Sequence, residues 1–537
     1  MLAIPILMEE KMNKRLRPLI ITLLVVLVGI AIVAPIYARG LSDGMIDPPP
    51  PPSDLPNNGY GVWLLPSLEG AEQISKTDTQ WVTVFLNWAH VEQSPGVYDW
   101  SSWDDVLKRA ANNGYDVILT VIDNPTWAAE TSCGPINPEH LDDFATFMNI
   151  AAQRYSYEPY TVKIWSLYNE PDNSDSQGFV WLGGCWGDAG NPKAAEGAGG
   201  AAYANMLKAV YPAIKSANPN TYVSMGGLAY DYFTTDPEHG VFDPVFLDDM
   251  LAAGAADYFD FINFHYYPWS GWRWEPEPFD RYNRHIDFKA RWLVSEVYNA
   301  SGQRKPILCT EVGETSHNKK HEADFRRQIL AIYQNILEAQ MANIYPITWF
   351  TGIDLRFSIN YDGRRYGLLN LDGSPKPSYF AYKALVDELK AATFVRPMRE
   401  LPNRFEGYVF NDRGRNKTVL WMYDNEPDFP PPQPVEIVVS QVGGTLRVVK
   451  VRTWPRSEQD YALVSEHTIT DGGPKDLDHQ ANGEVKVMID EDIRFFEDLS
   501  MPAYTPTPTQ VATRHVYLPL YIDENSPRFM YMPVIIH

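Results

Sequence analysis

The stretch VKIWSLYNEPDNSD, Val162 to Asp175, is an apolar, aromatic run that ends in Asn169-Glu170-Pro171 with further acids behind it. A strand that buries its end desolvates that carboxylate, which is costly without a purpose. Seven other segments share its strand-like texture: GYGVWLL (59–65), WVTVFLN (81–87), YDVILTV (115–121), TYVSMGGL (221–228), FDFINFH (259–265), PILCTE (306–311) and IYPITWF (344–350). Helical periodicity fills the gaps between them, as in HLDDFATFMNIAAQRY, AAYANMLKAVYPAIKSA and HEADFRRQILAIYQNILEAQ. SSWDDVLKRAANNG adds a Ser at the expected cap and a Gly at the stop, and SYFAYKALVDELK follows the eighth strand. Eight β-then-α units with near-continuously apolar strands predict a parallel sheet buried on both faces. Closure into a (β/α)₈ TIM barrel is the economical arrangement. The rival, an open doubly wound sheet, usually shows a Gly-rich phosphate turn after its first strand, and VWLLPSLEG is not one.

Around this core the chain is long and acidic. Its 537 residues exceed one domain of ordinary size, so two folded units with tails are expected. Charge sums to 45 − 68 = −23, which argues against nucleic acid or an anionic membrane surface as partner. With 16 Trp and 31 Tyr, the composition suits a protein that handles neutral polar ligands.

Lys11, Lys14, Arg15 and Arg17 precede the apolar run Leu19 to Ala38, the pattern of a signal peptide or an uncleaved transmembrane anchor over residues 1–40. Either reading places the remainder outside the cytoplasm, secreted or held at the cell surface. Residues 41–58, with DPPPPPSDLPNNG, read as a stiff proline-rich spacer. The barrel is expected over 59–394. Short alternating strands over 395–502 (EGYVFN, KTVLWMY, VEIVVS, TLRVVKVR, GEVKVMID) predict a small β-sandwich. Residues 503–537 hold a Pro/Thr linker and an apolar tail, read as an added β-element on the sandwich in preference to a surface anchor. The three cysteines form neither a disulfide scaffold nor a zinc site. Cys133 and Cys185, both in Gly-rich loops, are free to pair in an exported protein, and Cys309 reads as a buried thiol within a strand.

In such a barrel, function gathers where the strands end. Glu170 ends the fourth strand and Glu311 the seventh, across the mouth from each other. Two carboxylates in one concave site suit glycosidic bond cleavage, one protonated to serve the leaving oxygen and one ionised to attack. Glu314, past the strand, reads as a solvated decoy. His317 and His321 lack the acid of a zincin motif and read as surface residues. Trp127, Trp181, Trp186, Trp269, Trp272 and Trp274 fall in mouth loops, as loop packing or as sugar platforms, and Asn87 ends the second strand.

The motifs YNEP at the fourth strand, TEVG at the seventh and HYYP after the sixth resemble those of the clan-A retaining glycoside hydrolases, the group that includes families 5 and 39. The resemblance covers about residues 59 to 392 and is supported by NPTWAA and YGLLNLDGSPKPSYFAYKAL. It implies Glu170 as acid/base and Glu311 as nucleophile, and needs no metal or organic cofactor. It also implies Asn169 on the sugar 2-hydroxyl, Tyr267 donating to the nucleophile, His265 beside the acid/base and Trp349 as the stacking floor. Asn87 and Trp127 complete the set of candidate sugar contacts. One position departs from the pattern: Thr83 stands where many clan-A enzymes carry an Arg that supports the nucleophile. That departure motivates the alternative of a non-catalytic carbohydrate-binding protein on the same scaffold. A structural surface protein on Pro-rich stalks is the third class.

Overall fold

The computed structural model describes residues 45–177, 183–188, 190–230, 242–267, 286–317, 325–356, 363–398, 401, 405–422, 434–440, 444–453, 464–490 and 492–499, and the backbone of 515–521 and 529–535. By compactness the chain divides into Ile46–Thr507 and a second unit, Met1–Met45 with Pro508–His537. The N-terminal segment read as a signal peptide or anchor, with its apolar run, lies outside the described residues. No helix among those described is long and apolar enough to cross a membrane.

The eight strands of the larger unit's first sheet are β1 Tyr60–Trp63, β2 Trp81–Asn87, β3 Asp116–Ile122, β4 Val162–Asn169, β5 Tyr222–Gly227, β6 Ile262–Tyr266, β7 Ile307–Val312 and β8 Ile344–Trp349. They pair in parallel in the order β5-β4-β3-β2-β1-β8-β7-β6. Parallel bridges Ser224–Phe261 and Leu228–Phe264 join β5 to β6 and complete the barrel. Nine helices are named here: α1 Ala71–Ser75, α2 Trp88–Val91, α3 Ser101–Asn112, α4 Leu141–Tyr155, α5 Gly200–Ala217, α6 Phe246–Ala252, α7 Ile286–Ser301, α8 Phe325–Met341 and α9 Pro377–Leu389. α3 shows why they form: it buries Trp103, Val106, Leu107 and Ala110, one stripe at helical spacing. Its cap differs from expectation. The N-cap is Trp100, with no side-chain cap, and Ser101 instead donates its N–H (3.0 Å) and hydroxyl (2.6 Å) to Asp99 Oδ1.

The barrel interior is layered, as alternation along each strand requires. At the foot, Trp81, Ile118, Ile164, Phe261, Leu308 and Tyr345 form an apolar plug with Leu55. The proline-rich stretch is therefore not a free spacer over its described part. Ile46 N–H donates to Ser295 Oγ (2.8 Å), Asp47 pairs with Arg291 (3.1 Å), and Tyr345 donates to the Pro56 carbonyl. Above the plug lies a chain of small polar groups: Thr83 with Thr348 (3.2 Å), Thr348 with the Thr310 carbonyl, Thr310 with Asn263 (3.0 Å), and Asn263 with Ser166 (3.3 Å). The layer beneath the mouth packs Trp63, Phe85 and Ile122 against Phe350.

After α9 come β9 Thr393–Pro397, β10 Phe405–Asp412, β11 Arg415–Met422, β12 Val435–Ser440, β13 Thr445–Val451, β14 Val464–Thr470, β15 Val485–Ile489 and β16 Ile493–Asp498. β9, β14 and β16 were not among the strands expected from sequence. The second sheet runs β14-β13-β16-β11-β10-β9, and β12 pairs with β15 alone. Leu420, Leu446, Val448 and Phe496 face Ile437, Val485 and Val487 of the small sheet. The other face, with Phe410, Val419, Val449 and Phe495, merges with the barrel core, where Phe495 packs on Tyr333 of α8. In the second unit, β17 His515–Tyr521 and β18 Phe529–Ile535 form an antiparallel hairpin of their own.

Candidate active site

Backbone geometry at the ends of β4 and β7 aims the two acids. Tyr168 and Glu170 hold positive φ, 63° and 46°, a sparsely populated region for side-chain-bearing residues that costs on the order of 1 kcal/mol or more each. β5 makes room. A Cβ on Gly226 would stand 2.6 Å from the Leu167 carbonyl oxygen, and one on Gly227 would stand 2.3 Å from His265 Nε2. On the opposite side, pairing of β6 with β7 jumps from Phe264–Cys309 to His265–Glu311. The extra residue, Thr310, turns inward, and Glu311 with it, as bulges beside active sites do.

These two strand ends meet. One oxygen of Glu170, one of Glu311 and a ring nitrogen of His265 all lie within 4.8 Å of one another. His265 Nδ1 is 3.0 Å from Glu170 Oε1 and 3.6 Å from Glu311 Oε2, while its Nε2 sits 3.0 Å from Thr310 Oγ1. The Tyr267 hydroxyl donates to Glu311 Oε2 at 2.5 Å. Lys289 of α7, buried, donates to the carbonyls of His265 (2.9 Å) and Leu228 (3.2 Å) and so ties β5 to β6 just below. Three ligand atoms at this spacing also meet the minimum for a cation, and they are the one such group among the described residues.

Burial pushes the Glu311 carboxyl up to about 7. The positive potential of His265 opposes that rise, the Glu170 charge adds to it, and the Tyr267 hydroxyl opposes it again. Burial pulls His265 down, but the carboxylates of Glu311 and Glu170 outweigh it, and the imidazole ends above its ordinary value. Burial and the Glu311 charge hold Tyr267 well above the usual phenol range, so it stays a donor. The charge of Glu170 beside it is thus one reason the Glu311 carboxyl holds its proton more tightly than a free one.

The remaining candidates divide. Asn169 is buried beside Glu170, its carbonyl accepting from Gly184 N–H. Trp349 cannot be a stacking floor: it faces outward into the main core, 0% exposed, with its indole N–H on the Tyr366 carbonyl at 3.2 Å. Strand alternation sends the next residue inward. Phe350, half-buried, packs edge-on to Tyr267 (5.8 Å) and against Trp63 (5.1 Å). Asn87 is not open to a sugar. Its Oδ1 accepts from His90 N–H (2.9 Å) to cap α2, and its Nδ2 donates to Asp123. Trp127 is half-buried, edge-on to Trp88 and His140, with Nε1 on the Glu92 carbonyl (3.2 Å). Trp186 is buried and packs its loop between Tyr168 of β4 and Tyr203 of α5. Trp181, Trp269, Trp272, Trp274 and His321 lie outside the described residues.

Glu314 is not solvated: it is fully buried and paired with Arg327 of α8 at 3.2 Å. His317 is likewise buried, beside Ser316 Oγ (3.1 Å). Thr83 belongs to the mid-barrel polar chain, one layer below the acids. Cys133 and Cys185 form a disulfide, and Cys309 is a buried thiol outside it that donates to the Glu311 carbonyl at 3.2 Å. Phe350, Thr310 and Lys289 were missed from sequence. The paired glycines of TYVSMGGL were the available signal, since glycine inside a strand marks a close approach.

A closed eight-stranded barrel with two acids and a histidine converging at its mouth is the architecture of the clan-A glycoside hydrolases. The cellulase family, glycosyl hydrolase family 5, matches residues 67–351, more than half of the chain, and the protein belongs to it. Among solved structures it is similar to a family 39 glycoside hydrolase from Bacteroides cellulosilyticus WH2, at 18% identity and TM-score 0.58 over 82% of this chain and 81% of that one. It is also similar to a monomeric beta-xylosidase from Caulobacter crescentus CB15, at 15% identity and TM-score 0.56 over 84% and 97%. A third is a GH30 endoxylanase from Clostridium papyrosolvens C71, at 11% identity and TM-score 0.53 over 86% and 98%. No curated protein matches the chain in sequence.

Proposed function

We propose that this glycoside hydrolase cleaves β-linked polysaccharide or oligosaccharide with retention of configuration, Glu311 acting as nucleophile and Glu170 as acid/base. The approach of the two carboxyls to within 4.8 Å carries the reading. Retaining enzymes hold their acids about 5–5.5 Å apart, while inverting enzymes leave about 6.5–9.5 Å for a water between them. Exposure supports this division of roles, because the Glu170 side chain is 25% exposed and Glu311 is 6%. The leaving oxygen departs toward solvent and the anomeric carbon faces the interior.

In the first step Glu311 attacks the anomeric carbon as Glu170 gives its proton to the departing oxygen. In the second, Glu170 takes a proton from water, which displaces Glu311. The step needs a proton on Glu170 and a charge on Glu311. The Tyr267 hydroxyl favours that placement because its bond is stronger to an ionised Glu311. The Tyr267 hydroxyl gives the nucleophile a donor, and the nearby His265 ring a favourable charge, in place of an Arg at position 83, which weighs against a binding-only scaffold. Asn169 is assigned to the sugar 2-hydroxyl. Export, secreted or surface-anchored, is proposed from the charged and apolar leader and is supported by the Cys133–Cys185 disulfide, a bond of oxidising compartments.

Azide tests the assignment. Glu170→Ala and Glu311→Ala should each lose nearly all turnover of an aryl β-glycoside while staying folded. Azide should then restore the first with retained and the second with inverted product. Wild-type turnover in either variant, or the same product configuration from both, sinks the reading.

A further inference from the structure

We propose that Asp123, steadied by Asn87, is a specificity-determining residue whose carboxylate takes hydroxyl groups of the sugar seated beside Glu170. The proposal rests on the hydrolase reading above and deepens it. Asn87 occupies the inward register of β2 with Trp81, Thr83 and Phe85, and both its polar atoms are committed, one to the α2 cap and one to Asp123 Oδ2. The Asp123 carboxyl is therefore drawn to the mouth side of the barrel. Its backbone is fixed from the same segment, the carbonyl accepting from Ala89 N–H at 3.0 Å.

The next residue makes this corner rigid. Asn124 is buried, donates to the carbonyls of Thr131 (3.0 Å) and Gly134 (2.9 Å), and accepts from the Tyr168 hydroxyl two residues before Glu170. The disulfide from Cys133 to Cys185 ties the same loop to the loop that follows β4. Adjacent strands lie about 4.8 Å apart, so the ends of β3 and β4 are within the span of one sugar ring.

Three features of Asp123 have no structural purpose. Its φ of +61° is left-handed, a conformation that Asn adopts as readily, so the turn requires no charge. Its carboxyl accepts one hydrogen bond, through Oδ2 from Asn87, with the His90 ring acting on it through charge, and among the described residues no hydrogen bond reaches its other oxygen. Burial pushes it up to about 6, so it is poorly solvated and gains from new donors. Sugar hydroxyls supply such donors, and the acidic mouth disfavours a uronic acid in the same place.

Asp123→Asn keeps the turn and the bond from Asn87 and changes only the free oxygen and the charge. It is assayed on aryl β-glycosides of the sugar that the wild type turns over fastest and on the monodeoxy derivatives of that sugar. The expected kcat/KM loss on the parent is about 10–100-fold, the range for a hydrogen bond to a charged group. It should shrink to within about 3-fold on the derivative lacking the contacted hydroxyl, the remaining charge effect being small by comparison. Calorimetry in the Glu311→Ala background should show the parent sugar bound about tenfold more weakly once Asp123 is replaced. A loss equal across every deoxy sugar, or unchanged affinity in calorimetry, overturns the role of Asp123. Azide rescue of Glu311→Ala, with Asp123 intact, reports on the two-acid mechanism separately.

Discussion

The barrel mouth and the junction between barrel and sandwich both bury carboxylates, and they treat them oppositely. At the junction, Glu388 of α9 receives a two-pronged Arg447 at 2.9 Å on each oxygen. Lys417 adds a contact at 3.3 Å and also reaches Asp412 at 2.8 Å. At the mouth, Glu311 and Glu170 have His265 and the Tyr267 hydroxyl, a titratable ring and a neutral donor. A buried charge matched by permanent cations is fixed in its state. One matched by groups that titrate can change state during a reaction, and the fold gives up stability for that freedom. The same contrast separates Glu311 from Glu314, three residues on, which Arg327 holds.

Exchanging charge for amide in both regions breaks the comparison if it is wrong. Glu311→Gln should lower kcat/KM by about 10⁴-fold or more, the scale of losing a catalytic group. It should also stabilise the fold, by an amount that grows with pH. Glu311 is raised from 4.5 to about 7 in the folded state. Between those values the folded chain binds more protons than the unfolded one, so wild-type stability falls as pH rises. The deficit is complete above about pH 7 and amounts to about 3 kcal/mol at most. Melting curves of the two proteins should thus diverge from pH 4.5 to pH 8, with the variant higher. Coincident curves at pH 8 would mean that the site imposes no such cost.

Tyr267→Phe keeps the ring and removes the hydroxyl that donates to the nucleophile. A loss of about 10²–10³-fold in kcat is expected, as for other donors to developing or resident oxyanions. A shift of the acidic limb of the pH profile to higher pH should accompany it, because that donor favours the ionised carboxyl. Glu388→Gln is the mirror case. It leaves Lys417 and Arg447 short of a charge and should cost about 2–4 kcal/mol. Its turnover at 25 °C should match the wild type. A junction variant that loses activity without losing stability would show the two regions to be coupled.

How much of this was legible in the chain follows from the range of each interaction. Glu170 and Glu311 could be found because each ends an apolar strand, and strand ends face the mouth by topology alone. Trp349 could not be oriented. The pairing of β7 with β8 skips irregularly, from Ile307–Ile344 to Cys309–Ile347, and changes which residues face inward beyond Pro346. Glu314 was misjudged because its partner, Arg327, comes from a different element, α8. Asn87 looked available because neither the α2 cap nor Asp123 can be seen from a strand pattern. The mid-barrel polar chain needs five strands to exist, and no window of sequence contains it.

Thr83 leaves the smallest and most pointed test. If its place in β2 still served the nucleophile, as an Arg there would, removing its hydroxyl would show in turnover. Its bond runs instead to Thr348, whose own hydroxyl donates onward to the Thr310 carbonyl and stays satisfied without it. Thr83→Val preserves the shape and deletes one buried hydrogen bond, at a cost of about 1 kcal/mol. Thermal unfolding should register that cost, and kcat/KM should stay within about 3-fold, well under the loss for a direct donor to the nucleophile. A drop of about 30-fold or more, on the scale of such a donor, would move support of Glu311 from the mouth into the layer beneath it.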